Sequence, residues 1–296
     1  MIDKITITSL LGRGSVSMAK KDFAGYWLGP VDWGQVTGQH QTYRFPSQVG
    51  ESIVSTTVGG RPLSITGWVI DGGAGDLQAR CDFLNAFLSP VEDYSLEYKA
   101  RKIQFRPDSS VVYSRTYREN NLFLRKFLIQ ATCPYPLFTD LADTIIPFES
   151  DGKLFRFPTD FGMESPVVFG SLEKIYSVEV MNSGGFAAGL VVRMKFDGKV
   201  DNPRLKNLTT GKMIGVKRSF STGEQLEIST LPGSKFMNLY TAEGEKVNLI
   251  KYRDYETSWV QLQPGRNLLA LDCDDLEQRA AMAVTVFFTP LYLEVE

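Results

Sequence analysis

Most of the chain alternates apolar and polar residues with period two. Over residues 61–70, Leu63, Ile65 and Val69 fall on one face, across Gly67, with Ser64, Thr66 and Trp68 opposite. Over 190–196, Leu190, Val192, Met194 and Phe196 share a face while Arg193 and Lys195 point away. Met282, Val284, Val286 and Phe288 repeat the pattern. Such runs predict half-buried antiparallel strands. The opening residues Met1–Thr8 alternate too, and read as a first strand rather than a signal peptide. Turn signals separate the runs at Gly59-Gly60, Asn182-Ser183-Gly184-Gly185, Asp197-Gly198, Asn202-Pro203, Pro232-Gly233 and Pro264-Gly265. A mainly β protein of sandwiches or open barrels is expected.

One segment has a different period. After Gly72–Gly75, Asp76 is placed to cap a helix, and Leu77, Cys81, Leu84 and Leu88 follow on one stripe with Phe87 at its edge. Pro90 stops it. A single amphipathic helix covering the first sheet is predicted. At Asp274–Ala283 a second helix and a long hairpin connection compete.

Length and composition refine this picture. At 296 residues the chain suggests two domains. Cys133-Pro134-Tyr135-Pro136 marks an exit from a sheet. This reading places a first domain at 1–140, a linker or connecting strand at 141–165 and a second domain at 166–296. Hydrophobic residues are 43% and charged residues 22%, enough for a sizeable core. A net charge of −2 without long like-charge runs disfavours nucleic acid or an anionic membrane as the main partner. No stretch approaches the roughly 18 apolar residues of a bilayer span. Cys81, Cys133 and Cys273 are odd in number and widely spaced, and read as buried small hydrophobes.

Candidate chemistry is sparse. His40 is the only histidine, so a two-histidine metal site is excluded and a hydrogen-bonded surface role is expected. Asp272, Asp274, Asp275 and Glu277 lack the glycine and spacing of a calcium loop, and read as a solvated loop. Gly12-Arg13-Gly14-Ser15 lacks the third glycine of a dinucleotide loop. The sequon Asn207-Leu208-Thr209 is uninformative without a secretion signal. Trp68 and Trp259 could stack on a sugar, but alternating aromatics more often serve a core. No catalytic, cofactor or metal residue is assigned, and no enzyme is expected.

The order of elements resembles the siphophage distal tail protein family. Gly60–Gly67 leads through the glycine loop into Asp76–Leu84 and Leu88-Ser89-Pro90. Tyr94–Tyr98 and further strands precede Phe127–Asp140 with its Cys-Pro-aromatic-Pro turn. The second half is similar to that family's C-terminal domain at Val178–Gly184, Phe196-Asp197-Gly198, Asn207–Gly211, Gly223–Ile228 and Leu262–Asn267. The resemblance implies an N-terminal β-sandwich with one helix and an extended hairpin, then a C-terminal galectin-like or carbohydrate-module-like sandwich. It further implies a homohexameric ring between tail tube protein and tail-associated tip protein, with receptor-binding proteins attached in some phages. The location implied is the virion, after synthesis in the bacterial host cytoplasm. A closed ring needs two different patches per subunit, and the polar segment 34–50 around His40 is a candidate contact or flexible loop. The alternatives are a carbohydrate-binding adhesion module recognising the host surface and, last, a cell-wall hydrolase.

Overall fold

The computed structural model describes residues 3–21, 25–72, 75–152, 171–174 and 176–295. They form two compact units, Met1–Leu141 with Tyr292–Glu296, and Ala142–Leu291. The protein is mainly β, as its alternation implies.

Unit 1 contains β1 (Lys4–Ser9), β2 (Ser15–Ala19), β3 (Tyr26–Asp32), β4 (Gly38–Tyr43), β5 (Ser52–Val58) and β6 (Arg61–Ile70). Helix α1 (Leu77–Phe87) follows, then β7 (Tyr94–Tyr98), β8 (Arg101–Pro107), β9 (Val112–Tyr113), β10 (Leu124–Cys133) and β11 (Phe138–Asp140). Ten strands make one sheet, in the order β26-β11-β8-β7-β1-β2-β3-β6-β10-β9, where β26 is Leu291–Tyr292. An additional pairing of β8 with β10, at Ala131↔Pro107 and Thr132↔Arg106, closes the run from β8 to β10 on itself. Inward alternation then puts Ile5, Ile7, Leu28, Leu63, Ile65, Phe105 and Phe127 into one core. Each side chain of this size adds about 1.5–3 kcal/mol on full burial. The expected helical stripe is buried: Leu77, Cys81, Leu84, Phe87 and Leu88 all join that core.

The expected cap is not formed. Asp76 bonds no helical amide with its side chain; its Oδ1 accepts from Gly72 N at 3.0 Å and its Oδ2 from Arg80 Nε at 2.6 Å. The carboxylate braces the glycine loop and pairs with a cation one turn ahead, and both contacts compete with capping.

Unit 2 contains β12 (Thr144–Pro147), β13 (Glu149–Gly152), β14 (Ser171–Lys174), β15 (Ser177–Asn182), β16 (Leu190–Phe196), β17 (Val200–Asp201), β18 (Arg204–Asn207), β19 (Lys212–Gly215) and β20 (Ser219–Phe220). Then come β21 (Gln225–Leu231), β22 (Ser234–Tyr240), β23 (Lys246–Asn248), β24 (Gly265–Asp272) and β25 (Met282–Phe288). A six-stranded sheet, β12-β25-β16-β21-β22-β23, and a four-stranded one, β15-β24-β18-β19, carry its core. The alternating faces of β16 and β25 are buried residue by residue as read from sequence. The competing helix and hairpin at 274–283 resolve into a 3₁₀ turn over Leu276–Ala281 that runs straight into β25. Within 141–165, β12 and β13 are paired strands, while 153–165 lie outside the described residues.

Candidate interaction surfaces

The residues singled out for chemistry are in structural roles. His40 sits on β4, with Nδ1 2.9 Å from Thr56 Oγ1 across the hairpin. Gly12 and Gly14 adopt φ of 78° and 98° in the β1–β2 turn, where Arg13 pairs with Glu92 at 2.6 Å. All three cysteines are buried and unpaired. Burial pushes the Cys133 thiol up to about 12, which suppresses the thiolate needed for reactivity. Trp68 packs edge-on against Trp27 at 4.7 Å with Lys126 above it, and Lys235 lies over Trp259.

The acidic cluster is exposed at Asp274, Asp275 and Glu277 and half-buried at Asp272. It is also ion-paired: Arg204, reaching from β18, lies 3.4 Å from Asp272 and 2.5 Å from Asp274. Lys206 Nζ lies 2.8 Å from Asp272. Asp275 caps the 3₁₀ turn by accepting from Glu277 N at 3.0 Å. Arg204 Nε also lies 3.4 Å from Asp254, an ion contact without hydrogen-bond geometry. Among the described residues, no group of three His, Cys, Asp or Glu side chains is arranged to hold a metal ion.

Two surfaces expose large apolar side chains. The first is the β4–β5 hairpin, a two-stranded sheet of its own in which every strand residue is exposed. Of the polar segment 34–50, Gly38–Tyr43 forms one strand of this paired hairpin. Tyr43, Phe45, Ile53, Val54 and Val58 are each at least 50% exposed. Tyr43 and Phe45 meet edge to face at 4.5 Å, Ser55 donates to Gln41 at 2.8 Å, and Gln48 bridges Phe45 N and Ser52 Oγ at the tip. The β-branched run Ser52–Val58, between Gly50 and Gly59-Gly60, was the sequence signal available for it. The second is the 114–123 loop, whose Tyr117, Leu122 and Phe123 are at least 70% exposed. Glu119 holds its base, accepting from Ser114 Oγ at 2.7 Å and Lys126 Nζ at 2.6 Å. Beside it, Pro30, Thr66, Trp68, Val112 and Lys126 line a groove of about 430 Å³.

Comparisons with known proteins agree with this architecture. Residues 183–292 match the family model SPP1_Dit, described as the siphovirus-type tail component, C-terminal domain. Among solved structures, the chain is similar to the Dit protein of phage SPP1, described as "a Paradigm of Hub Adsorption Apparatus in Gram-positive Infecting Phages". The TM-score is 0.64 at 16% identity, covering 98% of this chain and 99% of that one. The phage P2 baseplate, in its activated conformation with Ca, aligns at a TM-score of 0.50 and 11% identity over 98% of both chains. No curated protein matches. Fold and matches together define a class, the β-rich structural components of phage tails and baseplates. Within that class, residues 183–292 match the C-terminal domain of the siphovirus-type tail component, and over the rest of the chain the likeness is one of fold.

Proposed function

We propose that the protein is the hub of the distal tail, a homohexameric ring between tail tube and tip protein. Unit 1 closes the ring and unit 2 faces outward. The observation that carries this reading is the β4–β5 hairpin. A lone two-stranded hairpin is marginal in water, and this one exposes Tyr43, Phe45, Ile53 and Val54 and, among the described residues, joins no other sheet. It is completed by a neighbour, and a head-to-tail ring supplies one to every subunit without leaving an unfilled patch.

Mass measurement of the purified chain across a concentration series tests this: a hexamer supports the ring, and a monomer throughout overturns it. The alternative, sugar binding by unit 2, has weaker support. On the six-stranded sheet Arg193 donates to Glu227 at 2.8 Å, Tyr240 donates to the same carboxylate at 3.2 Å, and Arg193 covers Phe287. These groups are engaged with one another in place of a ligand.

A further inference from the structure

The edge of unit 1 is thin. Strands β11 and β26 are three and two residues long, and β11 pairs with β8 through Thr139↔Lys102 and Asp140↔Arg101. So few backbone pairs do not hold an edge by themselves. The remaining attachment comes from residues 292–295. Buried Arg61 donates from Nη2 to the Leu293 carbonyl at 2.6 Å and stands 4.8 Å over the Phe138 ring. Its Nε has no partner, so that carbonyl offsets much of the desolvation of a guanidinium. Arg101 donates to the Glu294 carbonyl and lies 3.8 Å from the Tyr292 ring centroid. Tyr292 donates to Asp140 at 3.3 Å, and Val295 is buried in the core.

Unit 2 brings its own entry and exit together. β12, the first strand after Leu141, pairs directly with β25, with Thr144 opposite Phe288. Beyond that pair, Thr289 Oγ1 donates to Asp143 Oδ1 at 2.5 Å. Once unit 2 has folded, residue 289 is beside residue 143, three residues past Asp140 and three before Tyr292. The two partners of the edge are then held at the high effective concentration of a short tether. With unit 2 unfolded, residues 142–291 are a long loop and closing it costs entropy.

We propose that residues 292–295 are a clasp delivered by the folding of unit 2, so that the edge of unit 1 closes only after unit 2 has folded. Synthesis runs from the N-terminus, and unit 1 therefore keeps an open edge until the chain beyond residue 291 is made. Where unit 1 closes a ring, a consequence that rests on the reading above, the clasp delays ring closure until unit 2 is in place.

Hydrogen exchange read by mass spectrometry on the full chain tests the clasp. Val295→Asp and Arg61→Met are expected to speed exchange in 101–107 and 138–141 roughly tenfold, leaving 226–230 unchanged. Val286→Asp, placed in the core of unit 2, is expected to speed 101–107 as well, with Val286→Ala as the milder variant if the first unfolds. Faster exchange confined to unit 2 in the Val286 variants, or unchanged exchange at 101–107 with Val295→Asp, overturns the proposal. Failure of the ring is a separate result: the unsubstituted chain stays monomeric while the exchange response persists.

Discussion

Gly67 on β6 lies directly opposite Phe127 on β10. A Cβ at Gly67 would come within 2.5 Å of the Phe127 ring and 2.8 Å of the Trp27 carbonyl oxygen. The ring thus occupies the space a side chain would take, and β3 and β10 both approach closely because of it. Gly67→Ala is expected to destabilise unit 1 by about 1–3 kcal/mol, since one obstructing atom belongs to backbone and cannot rotate away. Denaturant unfolding followed by tryptophan fluorescence measures this, because Trp27 and Trp68 flank the site. An unchanged midpoint would show that the strands separate at little cost.

Asn207 is fully buried in unit 2. Its Nδ2 donates to the Gln261 carbonyl and to Asn267 Oδ1, both at 3.1 Å, and its Oδ1 accepts from Thr209 N and Thr210 N. Asn207→Ala leaves these partners unsatisfied and is expected to cost about 2–4 kcal/mol, read as a lower thermal midpoint of unit 2. Its sequon cannot be glycosylated in the folded chain, because no amide of that side chain reaches the surface.

These residues show what was legible in the sequence. The faces of β16 and β25 and the Leu77–Leu88 stripe could be read because each depends on local period alone. Arg61 and Asn207 could not: a polar residue beside a turn signal is expected at the surface, and both are buried through partners distant in sequence, Leu293 and Gln261. The β8–β10 closure and the return at Tyr292 are likewise non-local. At Asp76, a helix-start signal was present, but a cation at Arg80 and the Gly72 amide claimed the carboxylate. The hairpin was legible only in part: the β-branched run Ser52–Val58 carries a strand signal, whereas the polar Gly38–Tyr43 reads as loop, and the lack of a covering layer became visible only in three dimensions.

Acid is expected to weaken unit 2. Burial by itself would raise the Asp272 carboxyl, but hydrogen bonds and charge from Lys206 and Arg204 outweigh it and hold it below the ordinary 3.8. Asp201 is held down to about 2 by hydrogen bonds from Ser219, Lys199 and Gln278. Both pKa values are depressed on folding, so their stabilisation is complete above the unfolded value of 3.8 and is lost as pH falls through the folded ones. Unit 2 should therefore lose stability from about pH 4 down to about pH 2. In Lys206→Met the slope should flatten over this window, with a loss of about 0.5–1 kcal/mol at neutral pH for a half-exposed pair. Denaturant midpoints at several pH values check both; a Lys206→Met slope as steep as that of the unsubstituted chain would remove Asp272 from the account.

The hairpin offers the sharpest separation of folding from assembly. Ile53 and Val54 are 61% and 71% exposed within the subunit, so Ile53→Lys with Val54→Lys removes no contact from either unit's core. Surface changes of this kind alter subunit stability within about 0.5 kcal/mol. Across a subunit contact the same two lysines must be desolvated in a place built for aliphatic groups, at a cost of several kcal/mol for each unpaired charge. The proposed ring would repeat that cost at every interface, so the doubly substituted chain is expected to be monomeric by mass measurement with an unchanged unfolding midpoint. If it assembles like the parent, the hairpin is not the contact, and the 114–123 loop with Tyr117 and Phe123 takes its place as the surface to vary. If it instead unfolds earlier, the hairpin is packed within its own subunit, contrary to the exposure of every residue of β4 and β5.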